Sequence, residues 1–74
     1  MDITITIRGH ERDLDVRLDE NQIIAEAIDE LVNANAIDPF KGSLLRLPVQ
    51  GRVVSVHNTF KDEGIISGDI LQEA

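Results

Sequence analysis

The feature that most constrains the fold is a change of hydrophobic period after residue 18. In residues 3–7 isoleucine alternates with threonine, and in residues 13–18 leucine and valine alternate with charged side chains. A period of two is typical of a strand with one buried face. Between the two runs, residues 8–12 are polar and include Gly9. The pattern therefore predicts a β-hairpin at the start of the chain.

From residue 24 onward the apolar period is that of an α-helix. The i, i+3, i+4, i+7 spacing places four apolar side chains on one stripe, formed by Ile24, Ala27, Ile28 and Leu31. This stripe predicts an amphipathic helix. Asp19 or Asn21 can cap its first turn. We expect the helix to end near residues 34–35, and Pro39 excludes a continuation because the residue before a proline is disfavoured in the helical region.

The second half returns to short strands. Residues 45–47 alternate around Arg46, and after a turn at residues 50–51 the valines at 54 and 56 predict a fourth strand. Ser55 and His57 would share one face of that strand. Pro48 cannot donate a ladder hydrogen bond, so the third strand should end there or lie at a sheet edge.

The closing segment combines one helical turn with a last strand. Thr59 can cap a turn over residues 59–64 that directs Phe60 and Ile65 inward. Residues 68–69 then make a tight turn into a strand that carries Ile70 and Leu71. The predicted order is hairpin, helix, strand, short strand, helical turn, strand.

This order is typical of an α+β domain in which one helix packs on one face of a mixed sheet of four or five strands. If the last strand lies beside the first, the two are parallel and the helix serves as the crossover between them. That arrangement is the β-grasp, or ubiquitin-like, fold, and we expect residues 1–74 to form a single such domain. A split βαβ fold would need a second full helix, whereas residues 59–64 offer barely one turn.

Size and charge narrow the class of function. The chain has 74 residues, with 7 Lys and Arg against 14 Asp and Glu, which gives a net charge of −7. A domain of this size buries only about 60% of the surface that its unfolded chain exposes, so little apolar surface is left to build a deep cleft. We therefore expect no enzymatic activity. The negative charge opposes binding to nucleic acid and to anionic membranes.

Compartment and cofactors follow from what the sequence does not contain. It has no cysteine, so it has no disulfides or thiolate metal sites, which is compatible with a reducing cytosol. Its longest stretch without charge, residues 53–60, is far shorter than the roughly 20 apolar residues of a membrane-spanning helix. Arg8 interrupts the first apolar run before it reaches the length of a signal-peptide core. We expect a cytoplasmic protein that does not insert into membranes.

Catalytic and metal-binding groupings are weak. His10, Glu11 and Asp13 lie close in sequence, but a metal site needs at least three converging ligands with supporting contacts, and a solvated turn explains them better. Ser55 and His57 lack a third catalytic member and an oxyanion site. We expect no catalytic residue, no metal and no cofactor. One charge pattern could steer a basic partner, namely the acidic helix face formed by Glu26, Asp29 and Glu30.

The strand runs, the helical stripe and the closing segment resemble those of the ubiquitin-like superfamily. Within it they resemble most the YukD/EsaB family of small proteins associated with the type VII (WXG-type) secretion system of Gram-positive bacteria. The resemblance covers the full chain, from the strand at residues 3–7 through the strand at residues 14–18 to the helical stripe. Its sharpest part is the closing motif, which reads Thr59-Phe60-x-Asp62-x-x-Ile65-x-x-Gly68-Asp69-Ile70-Leu71.

The resemblance implies an accessory or regulatory protein that acts by contact with membrane components of the secretion machine. Ubiquitin-type modifiers and related sulfur carriers act instead through a slim Gly-Gly carboxyl terminus. Here the final glycine is Gly68 and the sequence ends in residues 72–74 with a side chain at each position. We therefore expect neither conjugation nor sulfur transfer. A modifier or sulfur carrier whose Gly-Gly tail is missing, or a generic ubiquitin-like interaction module, remains the alternative.

The same resemblance indicates a partner-binding surface. Ubiquitin binds many partners through an isoleucine-centred apolar patch on the exposed side of its third and last strands. The matching positions here are Arg46, Pro48 and Gln72, so we expect a mixed polar and apolar surface with different receptors. If the exposed side of the sheet binds a protein, the residues to test first are Thr4, Thr6, Arg46, Pro48 and Gln72.

Overall fold

The computed structural model describes all residues, 1–74, and contains one five-stranded mixed sheet and one α-helix. In chain order the elements are β1 (Asp2–Arg8), β2 (Asp13–Asp19), α1 (Ile24–Asn33), β3 (Leu44–Leu47), β4 (Arg52–Ser55) and β5 (Ile70–Glu73). The strand order across the sheet is β2-β1-β5-β3-β4. β1 and β5 are parallel, and every other pair of neighbours is antiparallel. The predicted β-grasp arrangement is confirmed.

The core lies between α1 and the side of the sheet that α1 covers. Alternate residues of β1 are buried, as the Ile-Thr alternation predicts, and the same holds for the inward residues of β3. The buried hydrophobic residues are Ile3, Ile5, Ile7, Ile24, Ala27, Ile28, Leu45, Leu47, Val54, Val56, Phe60, Ile65 and Leu71. Because a single layer of side chains holds sheet and helix together, the opposite side of the sheet is left uncovered.

The start of α1 differs from the prediction. Its N-cap is Ile23, in an extended conformation, and no side chain caps it. The Asp19 carboxylate instead accepts a hydrogen bond from the Asn21 amide at 2.9 Å, and this amide precedes the first residue of α1. The first helical amides are bound by backbone carbonyls from a distant segment: Ile24 donates to the carbonyl of residue 58 at 3.0 Å, and residue 25 donates to that of residue 56 at 2.8 Å. These tertiary hydrogen bonds replace a side-chain cap.

The end of α1 confirms the prediction. Ala34 is the C-cap, and Asn35 adopts a left-handed conformation with φ of 58°. The Asn35 amide donates to the carbonyl of Val32, and the Ala36 amide donates to that of Leu31. This paired arrangement is a Schellman motif in which asparagine takes the place of the usual glycine. No helix in the structure reaches the length and apolar character needed to cross a bilayer.

The fourth strand is shorter than predicted. β4 ends at Ser55, so His57 lies beyond it, and the expectation that the two side chains share a strand face is wrong. The chain turns away because the carbonyl of Val56 accepts a hydrogen bond from Ala25 at the start of α1. The Ser55 hydroxyl accepts a hydrogen bond from the backbone amide of His57 at 3.3 Å. The imidazole takes no part in this contact.

The turn at residues 59–64 is as predicted. The Thr59 hydroxyl accepts a hydrogen bond from the Asp62 amide at 3.0 Å and caps the single turn. Phe60 is completely buried and Ile65 is 2% exposed, whereas the adjacent Ile66 is 64% exposed. The turn therefore closes one end of the core with the largest of its buried side chains.

Candidate docking surface

Four of the predicted site residues lie together on the uncovered side of the sheet. We call it the open face and define it as the strand residues whose side chains point away from α1. Strand alternation assigns to it Asp2, Thr4, Thr6, Arg8, Asp13, Asp15, Arg17, Asp19, Leu44, Arg46, Val53, Ser55, Ile70 and Gln72. It extends over all five strands.

One row of this surface crosses the whole sheet. The register pairs Asp13 with Arg8 and Arg8 with Gln72. It then pairs Gln72 with Arg46 and Arg46 with Val53. Adjacent residues in such a row lie side by side on the same face of a sheet. The row runs from an acidic side chain at one edge to an aliphatic side chain at the other.

The half of the open face on β1 and β2 is charged and internally paired. Arg17 donates to the Asp2 carboxylate at 3.0 Å. Arg8 donates to the side-chain oxygen of Gln72 at 2.9 Å and lies 4.0 Å from the Asp13 carboxylate. The Thr6 hydroxyl donates to the Asp15 carboxylate at 2.6 Å. The arginines and Thr6 therefore already have acceptors and offer a partner no free donor, although the carboxylates of this half outnumber its cations.

The half on β3 and β4 has a different chemistry. Leu44 is 52% exposed and Val53 is 43% exposed, and they flank Arg46 on the same surface. Arg46 is exposed, and its guanidinium has no hydrogen-bond or ion-pair partner within the chain. An unpaired guanidinium beside aliphatic side chains offers five donors and an apolar contact at one place. A partner can use both without first breaking an internal contact.

The predicted sheet residues fall largely together. Thr4, Thr6, Arg46 and Gln72 all lie on the open face, but the two threonines belong to its charged half. Pro48 follows the end of β3 and lies in the turn at residues 48–51. If the antiparallel register continued by two residues, it would set Pro48 opposite Ile70. The proline therefore borders the surface rather than standing within a strand.

The acidic helix residues form a separate surface. Glu26, Asp29 and Glu30 are all exposed on α1, and no ion pair or side-chain hydrogen bond engages them. Since α1 packs on the covered side of the sheet, its exposed side faces away from the open face. One flat partner surface cannot contact both groups.

Two open-face residues were missed in the sequence prediction. Leu44 and Val53 are the exposed aliphatic side chains on either side of Arg46. The doublet Val53-Val54 carried the signal, because neighbouring strand residues point to opposite sides and only one of the pair can enter the core. The predicted fourth strand uses Val54 and makes no statement about Val53.

The remaining concave sites are small and polar. A hollow of about 250 Å³ lies between the β1–β2 turn and residues 35–38, and one of about 240 Å³ lies beside Phe40 and the end of β5. His10 borders both hollows, and its Nε2 lies 3.3 Å from the Glu73 carboxylate. No cluster of three or more His, Cys, Asp or Glu side chains has a geometry that holds a metal ion.

Comparison with known proteins supports the fold. The sequence matches no family model and no curated protein. The structure is similar to the solved structure of a de novo designed protein based on ubiquitin, with a TM-score of 0.70 and 25% sequence identity. That match covers 96% of this chain and 84% of the designed one. The chain therefore has a ubiquitin-like fold.

Proposed function

We propose that this protein is a non-enzymatic ubiquitin-like docking domain, an accessory or regulatory protein of a bacterial type VII secretion system that acts through the open face. The observation that carries the proposal is the exposed, unpaired guanidinium of Arg46 between the aliphatic side chains of Leu44 and Val53. Arginine is enriched at protein interfaces, and the fully buried core of an interface is more apolar than the rest of the protein surface.

The resemblance of the sequence to the YukD/EsaB family supports the type VII assignment. The residues that carry it also build the fold: Thr59 caps the closing turn, Phe60 and Ile65 enter the core, and Leu71 pairs with β1. A ubiquitin-like body is the fold that this family resemblance implies. The membrane components of the secretion machine are accordingly the proposed partners.

The chemistry of the surface defines the complementary partner. That partner presents a carboxylate or a row of backbone carbonyls to Arg46, next to apolar side chains that cover Leu44 and Val53. Desolvation on docking strengthens the charge-assisted hydrogen bonds of the guanidinium. The paired arginines of β1 and β2 stay engaged with their own carboxylates and act as a polar rim.

The residues at the end of β5 are held by side-chain contacts. The Glu73 carboxylate accepts a hydrogen bond from the backbone amide of Lys41 at 3.0 Å and lies 3.3 Å from His10. Gln72 is held by Arg8. Both residues therefore belong to the folded body. We propose that the protein binds its partner non-covalently.

Affinity capture from detergent-solubilised membranes of a Gram-positive bacterium with a type VII system tests this proposal. The wild-type protein should retain subunits of the secretion machine, and R46E should retain about a tenth or less of them, because the reversed charge repels the partner carboxylate. The matched control is K61E, which changes an exposed, unpaired cation in the same way outside the open face. K61E should capture as much as the wild type.

Two results would contradict the proposal: equal capture by R46E and wild type, or eluates without any subunit of the machine. The intact mass of the protein recovered from the same cells separates docking from conjugation. An unmodified polypeptide mass is expected. A covalent adduct at the carboxyl end would contradict the proposal of non-covalent binding.

A further inference from the structure

The sheet has two edge strands, and the structure treats them differently. At the β4 edge, the outward amide of Ser55 donates to the Glu63 carboxylate at 2.6 Å. Arg52 on the same strand donates to the backbone carbonyl of Glu63 and to the side-chain oxygen of Gln50. Side chains from a neighbouring loop and turn thus occupy this edge, which is one way in which proteins prevent an edge from pairing with another chain.

The β2 edge has no such cover. The amide of residue 20 donates to the carbonyl of Met1, and that of Gly9 donates to the carbonyl of Arg12. Both pairs continue the β1–β2 register, so they show which residues of β2 direct their backbone groups toward β1. Even-numbered residues of β2 therefore bond to β1, and the odd-numbered ones direct their backbone groups outward. The amides and carbonyls of Asp13, Asp15 and Arg17 have no partner within the chain. They form a free pairing edge along a seven-residue strand.

The charge at this edge is mainly negative. Asp13, Asp15 and Asp19 project from β2 on the side of the open face, and the cation among them, Arg17, is held by Asp2 at 3.0 Å. A chain with a net charge of −7 adds a long-range field of the same sign. A strand that pairs here is favoured if its outward side chains are basic.

The inner side of the same edge is apolar. The inward residues of β2, Leu14, Val16 and Leu18, are only partly buried, whereas those of β1 are buried. At the start of β2, Leu14 lines the hollow of about 250 Å³ together with Ala36 and Ile37. An added strand would set its inward side chains over this incompletely covered surface. Apolar residues at alternate positions would complete it.

We propose that β2 accepts an extended segment of another protein as a sixth strand, in which basic residues alternate with apolar ones. Main-chain hydrogen bonds to Asp13, Asp15 and Arg17 would supply affinity, and the alternation would supply specificity. A second copy of this chain is disfavoured, since it would bring two rows of aspartates together. The edge is distinct from the Arg46 half of the open face, so this inference can fail while the proposed function stands.

The test uses a synthetic peptide, acetyl-KVKIKVK-amide, with amide hydrogen exchange measured by NMR. Exchange at Asp13, Asp15 and Arg17 should slow by about tenfold or more when the peptide binds. The isomer KKVIVKK has the same charge without the alternation, and EVEIEVE has the alternation with the opposite charge. Neither should protect these amides. Equal protection by the isomer would reduce the effect to charge attraction and overturn the proposal, as would the absence of protection by KVKIKVK.

A matched pair of variants separates backbone pairing from charge. D15P removes an outward amide hydrogen at a position where an edge strand tolerates proline, and D15N removes the same charge but keeps that hydrogen. D15P should weaken peptide binding by about tenfold or more and D15N by only about threefold. Continued protection of the amides of Leu14 and Val16 shows that each variant is folded. Equal losses in the two variants overturn the proposal.

A final measurement distinguishes the occupants. Without peptide, the exchange rates at Asp13, Asp15 and Arg17 should not depend on protein concentration. Slower exchange at higher concentration, accompanied by dimers in sedimentation, would make a second copy the occupant and contradict the basic-segment proposal.

Discussion

Replacing Phe60 with alanine is expected to lower the free energy of unfolding by about 3–5 kcal/mol. Phe60 is completely buried and is the largest of the fully buried side chains. Its backbone amide donates to the carbonyl of Gln22, just before α1, and its own carbonyl accepts from Ile65. The neighbouring elements are therefore fixed by the backbone and cannot collapse fully into the cavity that truncation leaves.

This loss is large for so small a domain. At roughly 0.05–0.15 kcal/mol per residue, a chain of this length has a total stability of about 4–11 kcal/mol. Urea unfolding followed by circular dichroism should show a midpoint lowered by about 2 M or more, with a slope near 1–2 kcal/mol/M. The control I66A removes an aliphatic side chain that is 64% exposed nearby. A Phe60 variant whose midpoint matches that of I66A would contradict the packing described above.

The second large effect is expected at Asp69, the one buried charged residue of the chain at 4% exposure. One oxygen of its carboxylate accepts hydrogen bonds from the side-chain amide of Gln50 at 2.8 Å and from the backbone amide of Ile66 at 2.9 Å. Gln50 also donates to the carbonyl of Gly64 at 3.2 Å. Asp69 thus joins the turn after β3 to the segment before β5.

Alanine at position 69 should cost about 1–3 kcal/mol, because two part-buried hydrogen bonds from Gln50 and Ile66 to a buried carboxylate are lost. The matched control is D62A, in which an exposed aspartate without a side-chain hydrogen bond is truncated. D62A should change the unfolding free energy by less than about 0.5 kcal/mol. Thermal or urea unfolding of the two variants makes the comparison. Equal stabilities would show that the Asp69 contacts contribute nothing net.

Local patterns predicted the elements that depend on local physics. The alternation at residues 3–7 predicted β1, the stripe that includes Ile28 predicted α1, and Thr59 predicted the cap of the closing turn. Each of these depends on side chains a few positions apart. The parallel pairing of β1 with β5 followed as well, because few β-rich topologies accommodate one helix between a hairpin and a closing strand.

What sequence reasoning missed depends on contacts between distant segments. Carbonyls near residue 57 satisfy the start of α1, so neither Asp19 nor Asn21 is needed as a cap. Glu63 reaches the amide of Ser55, and Asp69 reaches Gln50, over separations that no local pattern records. The candidate site was likewise predicted only in part. Alternation placed residues on the open face, but only the strand order showed which ones are neighbours.

The central claim is that the protein acts by docking through the Arg46 half of the open face. The most direct measurement is an NMR titration of the isotope-labelled protein with the cytoplasmic segment of a captured type VII subunit. The largest amide shift changes are predicted at Leu44, Arg46, Val53 and Gln72. The exposed side of α1, which carries Glu26, Asp29 and Glu30, should remain unshifted. Shift changes centred on α1, or none at saturating partner, would contradict the claim.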